Sequence, residues 1–163
     1  TRHIISRGIR KIAHLGGPRK LTVSQNRLRG YRDALEENAI PYDPTLLAYC
    51  EFDIDKVPEA IEKILKLHPD TKGIFAVNDE IAVEAILALK KLGKRIPEDI
   101  AIVGFGDYPI ARIVEPNLTT ISHYPAKIGE RAMHHLLKLI NHREEASVMK
   151  EVIPCELIRR GSA

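Results

Sequence analysis

The chain is predicted to be an α/β protein, with a mostly parallel sheet between two layers of helices. Two observations carry that prediction. Apolar runs of strand length recur at residues 12–15, 46–50, 74–77 and 100–105, and segments of helical amphipathic period separate them. The stretch KGIFAVNDEIAVEAILALKKLGKRIPEDIAIVGFGD, residues 72–107, then reads as strand, helix and parallel strand. Both of its strands end in polar residues, Asn78-Asp79 and Gly106-Asp107. Small ligands bind outside the carboxyl ends of strands in such sheets.

Each element has its own reason. The first run ends in the turn Gly16-Gly17-Pro18. A helix after Asn26 would place Leu28, Tyr31 and Leu35 on one stripe and turn Arg29, Asp33 and Glu37 away. After the second run, a helix opens near Asp55 and Pro58, with Val57, Ile61, Ile64, Leu65 and His68 on its buried side. The helix at 80–92 is apolar nearly all round. Ile81, Ala85, Ala88, Leu89 and Leu92 would face the sheet, and Val83, Ile86 and Leu87 lie opposite. Such a helix must be covered on both sides, by a second layer of this chain or by a partner subunit. A partner is the reading adopted. Gly93 stops the helix and Ile96-Pro97 turns the chain. A fifth run at 118–121 precedes a long helix from Pro125 to about Asn141, carrying Ile128, Ala132, Met133, Leu136, Leu139 and Ile140. A charged loop at 142–146 and two strand-like pieces, 148–153 and 155–158, close the chain.

Bulk composition narrows the function. A chain of 163 residues is one domain, or one lobe of a larger protein, and buries a proper core. With 44% apolar and 29% charged residues it reads as an ordinary soluble globular protein. No run of about 18 apolar residues marks a membrane span. Cys50 and Cys155 sit in apolar runs and read as reduced core residues of a cytoplasmic protein. A net charge of +3, with basic and acidic residues interleaved, does not mark a nucleic-acid surface. Neither a zinc pattern nor a helix-turn-helix is present.

The candidate site residues follow from the strand ends. Arg27, read as lying in the first turn of its helix, opposes the helix dipole there, so a carboxylate or paired hydroxyls should offset it; otherwise it is an ordinary surface arginine. Phe52 would stack on a flat or sugar-like face or cap the core. Of Asn78 and Asp79, one would cap the following helix while the other points into the cleft. Asp107 would accept ligand hydroxyls or end its strand in a turn. Catalytic patterns are weak. Gly104-x-Gly106 is half a dinucleotide fingerprint after the wrong strand. Gly16-Gly17-Pro18-Arg19-Lys20 lacks the phosphate-loop ending. His134 and His135 diverge on their helix and make no zinc pair. No metal or cofactor is expected.

Taken in order, IRKIAHLGGP, NRLRGYRDAL, IFAVNDEIAVEAI, LGKRIPEDIAIVGFGD, PNLTTISH and IPCELIRRGS resemble the LacI family of bacterial transcription regulators. The resemblance covers nearly the whole chain but only the C-terminal part of the family's effector-binding core. It implies a periplasmic-binding-protein-like fold of type I, two lobes joined by three chain crossings. Residues 1–122 would form most of the C-terminal lobe, 123–147 a helical segment of the N-terminal lobe, and 148–163 the closing strands of the C-terminal lobe. The DNA-reading domain would precede Thr1 and lie outside this chain. The implied effector contacts are Arg27, Phe52, Asn78 and the position after Gly104-Phe105. Many members carry an acid there; this chain has Gly106, with Asp107 next. The implied function is sensing a small polar metabolite, a sugar or sugar derivative, so as to change operator DNA affinity, without enzymatic activity. The implied assembly is a homodimer through Val83, Ile86 and Leu87. A periplasmic solute-binding protein of a transport system is the alternative that shares the fold.

Overall fold

The computed structural model describes residues 1–141 and 150–163. Four parallel strands, β1 (Ile12–Gly16), β2 (Leu47–Tyr49), β3 (Gly73–Ala76) and β4 (Ala101–Val103), form a sheet in the order β2-β1-β3-β4. The order reverses direction between β1 and β3, so a topological switch point lies at their carboxyl ends.

Helices cover both faces, as three layers require. Helices α3 (Val57–Leu67) and α4 (Asp79–Lys91) pack with Ala13, Leu15, Ile74, Ala76 and Ile102 in the larger core. On the other face, α1 (Arg2–Ser6) and α2 (Thr22–Glu36) bring Ile4, Tyr31 and Leu35 against Ile12, Phe75 and Val103. Strands sandwiched in this way are apolar on both sides, which is why β1, β3 and β4 are buried throughout. Pro58 sits in the first turn of α3, where its missing N–H costs nothing, and Val57, Ile61 and Ile64 form the buried stripe.

Two expectations about helices change. Helix α2 begins at Thr22, not after Asn26, so Arg27 lies in its second turn and the argument from the helix dipole lapses. In α4, Ile86 is 0% and Val83 8% exposed, and only Leu87, at 43%, reaches the surface. Cover for the second side of α4 comes from α3 and from the short 3-10 turns Ile54–Lys56 and Pro109–Arg112 of the same chain. Val83 and Ile86 are therefore core residues, not a dimer surface. Leu92, assigned to the sheet-facing stripe, is exposed because the helix ends one residue earlier.

One polar side chain is built into the smaller core. His14 is wholly buried, stacked between Phe75 and Tyr31 at centroid distances of 4.9 and 5.3 Å. Its Nδ1–H donates to the Phe75 carbonyl at 2.8 Å. Burial holds the imidazole pKa down to about 4. The unfolded chain takes up the proton below its own value of 6.5, while the folded protein stays neutral until about 4. His14 therefore withdraws about 3 kcal/mol of stability as pH falls across that window, and none above it. Denaturant titrations between pH 7 and 4 should show a flatter dependence for His14→Phe; equal slopes would remove His14 from the account.

Beyond β4 the chain changes construction. Strand β5 (Thr120–Ser122) pairs antiparallel with β6 (Glu156–Ile158). Beside β4, the Gly104 and Gly106 N–H groups donate to Thr119 and Ile121 carbonyls at 3.0 and 2.8 Å. The tail closes the remaining gap through buried Ser162. Its Oγ donates to the Ile102 carbonyl at 2.7 Å and accepts the Thr119 N–H at 2.8 Å. Helix α5 (Pro125–Asn141) stands apart, with Ile128, Met133, Leu136, Leu137, Leu139 and Ile140 exposed. The predicted loop at 142–146 and the start of the 148–153 piece lie outside the described residues. Residues 150–153 form no strand. Cys155, expected in the core, is exposed, whereas Cys50 is buried.

Candidate functional site

The carboxyl ends of the strands bring one group of side chains together. After β2, Glu51 and Phe52 both take left-handed backbone, at φ of 57° and 61°. Such conformations are costly for bulky residues and concentrate at functional sites. Here the turn lays the Phe52 ring over Gly17. A Cβ at Gly17 would stand 2.8 Å from that ring and 2.6 Å from the Ser24 Oγ. Glycine after β1 is thus what lets the aromatic close over this strand end.

Arg27 enters from α2 and is half-buried. Its Nη1 donates to the Val77 carbonyl at 2.6 Å, at the end of β3. The guanidinium carbon lies 3.9 Å from the centroid of Phe105, just beyond β4. Phe105 in turn meets the His123 ring, 5.7 Å away, at the end of β5. One arginine therefore ties together the ends of β3 and β4, held by a carbonyl and a cation–π contact. Burial lowers its pKa, yet a guanidinium remains charged. Arg27 and Phe52, both read from the sequence, fall in this group.

The polar residues after β3 and β4 have other tasks. Asn78 is the N-cap of α4. Its Oδ1 accepts the Ile81 N–H at 3.0 Å, and its Nδ2 donates to Glu80 at 3.3 Å. Asp79 was expected to point into the cleft if Asn78 capped; instead it is fully buried beneath it. Its carboxylate accepts the Tyr108 N–H at 2.7 Å and the Thr120 hydroxyl at 2.5 Å. Burial pushes this carboxyl upward, and those two hydrogen bonds pull it back. A side chain at Gly104 would run into Asp79 Oδ1, so a glycine is needed there too.

Asp107 is likewise not free for a ligand. Arg160 Nη2 donates to it at 2.5 Å and Arg112 Nη2 at 3.1 Å. Burial works to raise its pKa, but the two arginines outweigh that and hold it below the usual carboxylate range. Of the two roles read for Asp107, accepting ligand hydroxyls is not the one seen here: its carboxylate is shared between Arg112 and Arg160 of the tail. At Gly106, where φ is 141°, a Cβ would stand 2.9 Å from the Tyr108 ring. An aromatic occupies the space beside a position that has no side chain.

Sequence reasoning missed Phe105, Tyr108, His123 and Arg160. Phe105 was counted as the last apolar residue of its strand, and only the Gly-Phe-Gly setting hinted that the ring stood alone. Among the described residues no cluster of three His, Cys, Asp or Glu side chains would hold a metal ion. No helix among them is long and apolar enough to cross a membrane.

A family model described as the periplasmic binding protein-like domain matches residues 1–163. The ribose operon repressor of Halalkalibacterium halodurans is 31% identical over 160 residues, 98% of this chain and 47% of its own length. The HTH-type transcriptional regulator CelR of Thermobifida fusca is 36% identical over 137 residues, 84% of this chain and 40% of its own length. A solved structure, a transcriptional regulator CelR–cellobiose complex, superposes with a TM-score of 0.93 at 31% identity. That match covers 99% of this chain and 49% of the other. The chain spans less than half the length of these two curated relatives. With the domain matched from end to end and regulators of one type aligned along it, the chain belongs to the LacI family of transcriptional regulators.

Proposed function

We propose that this chain is the effector-sensing and dimer-forming region of a sequence-specific DNA-binding regulator, acting in the cytoplasm and without enzymatic activity. The observation that carries the reading is Arg27, held over Phe105 at the switch point with Phe52 across the neighbouring strand ends. A small polar metabolite would bind there, between this lobe and a second one. The apolar side chains that α5 leaves exposed support the second lobe, since a helix with that surface needs cover. In this reading 1–122 and 148–163 form the C-terminal lobe and 123–147 contributes to the other. Arg27 and Phe52 are the effector contacts, while Asn78 shapes the floor as a cap.

Binding changes operator affinity only if the effector prefers one lobe arrangement over another. The relatives are named as regulators and repressors, and one is known with cellobiose, which favours this reading over a transport component. Dimerisation is assigned to the surface of α4 that carries exposed Leu87; the 3-10 turn Pro109–Arg112, which packs on α4, leaves Ile110 exposed and is followed by Ile113 at 78%. The test is a thermal-shift screen of the full-length protein against sugars, sugar acids, sugar phosphates and purines. Operator affinity is then measured with and without each hit. A hit should weaken or strengthen DNA binding; saturable binders that leave operator affinity unchanged would refute the sensing role.

A further inference from the structure

We propose that the groove between α3 and the free edge of β2 docks an extended, acidic segment of a partner protein, which joins the sheet as a further strand. The groove encloses about 680 Å³ and lies apart from the cleft, since none of Arg27, Phe52, Asn78 or Phe105 lines it. The backbone specifies what kind of chain fits. Strand β2 is at the edge of its sheet and pairs with β1 alone. Cys50 sends its N–H inward to the Gly16 carbonyl at 2.8 Å. Alternation along a strand therefore turns the Tyr49 N–H and the Leu47 and Tyr49 carbonyls outward, along the open edge. The Leu47 N–H is already given to the Pro44 carbonyl. One donor between two acceptors at strand spacing is a pattern that another extended backbone answers.

The side chains agree with this. Edge strands are commonly defended by a charge or a proline, and β2 is Leu-Ala-Tyr, half-buried and with neither. Helix α3 packs beside this edge, so an added strand has a second surface to lie on. Ala48 and Ala60 are small and leave depth between strand and helix, while Leu67, 54% exposed, offers an apolar contact at one end. Charge then decides the character of the partner. Lys56 is matched by Glu51 at 2.7 Å. Arg19 lies 4.1 Å from the centroid of the Tyr49 ring, and neither it nor Lys63 forms an ion pair among the described residues. Against these two cations Glu59 is the one lining acid left, so an acidic strand is the complement. A second copy of this chain would bring the same excess of cations. Pairing through a three-residue strand would also fall well short of the area that a stable dimer buries.

Fluorescence anisotropy on the full-length protein tests this with three labelled hexapeptides. One alternates glutamate and valine, one alternates lysine and valine, and the third is the glutamate peptide N-methylated throughout, which removes its main-chain donors. The acidic peptide should bind saturably and about tenfold or more tightly than the basic one. The N-methylated peptide should not bind. Strand addition should also slow hydrogen exchange at the Tyr49 amide. Lys63→Glu, at an exposed position, and Ala60→Gln, which fills the groove, should each weaken binding about tenfold with Tm unchanged. No saturable binding of the acidic peptide at about 1 mM, equal affinity for both charges, binding that survives N-methylation, or unaltered Tyr49 exchange would each overturn the proposal. A larger oligomer in sedimentation that Ala60→Gln dissolves would give the groove to a second copy and overturn it as well.

Discussion

Replacing Asp79 with alanine should lower the unfolding free energy by about 3–5 kcal/mol, a larger loss than at any residue lining the cleft. The carboxylate has no exposed surface and serves two donors, one on the loop after β4 and one on β5. Alanine would leave the Tyr108 N–H and the Thr120 hydroxyl without their acceptor in a closed space. Each such loss costs about 1–3 kcal/mol. Asp79→Asn, which keeps one acceptor oxygen, should cost roughly half as much. Denaturant titrations of the three proteins check the order. A wild-type midpoint for Asp79→Ala would show that water or a shifted loop takes over the acceptor role.

Adjacent residues in α4 should respond in opposite ways to the same substitution. Ile86→Glu puts a carboxylate into a site with no exposure, packed in the larger core, and should cost about 4 kcal/mol or more. Its product would be an unfolded lobe. Leu87→Glu changes a residue that is 43% exposed and should alter the lobe's own stability by about 0.5 kcal/mol or less. If the α4 surface carrying Leu87 joins two copies, Leu87→Glu should convert the full-length dimer to monomer in sedimentation while its circular dichroism stays unchanged. An unaltered sedimentation profile for Leu87→Glu would place the dimer contact elsewhere.

The layout of this protein was legible because β1, β3 and β4 are buried on two faces and α2 and α3 on one. Runs such as IAHLG and GIFA, with helical stripes such as Val57-Ile61-Ile64 between them, leave few other ways to build a sheet. Helix ends were less legible. The α2 start was misplaced because Thr22 to Gln25 carry no strong apolar period, and the N-cap is Leu21, whose side chain makes no cap hydrogen bond. The polar strand ends were the hardest to read. Asn78, Asp79 and Asp107 are chemically suited both to a ligand and to local hydrogen bonds. Only contacts distant in sequence decide between the two: Asp79 with Thr120, and Asp107 with Arg160. Likewise, the full apolar girdle of α4 invited a partner subunit, because nothing local to it shows that α3 packs on its second side.

The bond between Arg160 and Asp107 has a mechanical consequence. Arg160 also donates to the Leu118 carbonyl at 2.8 Å, and its own N–H reaches Thr119 Oγ1 at 2.9 Å. The loop after β4, the approach to β5 and the C-terminal tail are thereby riveted at one joint. If residues 123–147 belong to a second lobe, as proposed, a push on that loop would pass into the two segments that connect the lobes. In that reading the floor would act as the fixed arm of a lever, delivering displacement at the connections between lobes rather than deforming the sheet.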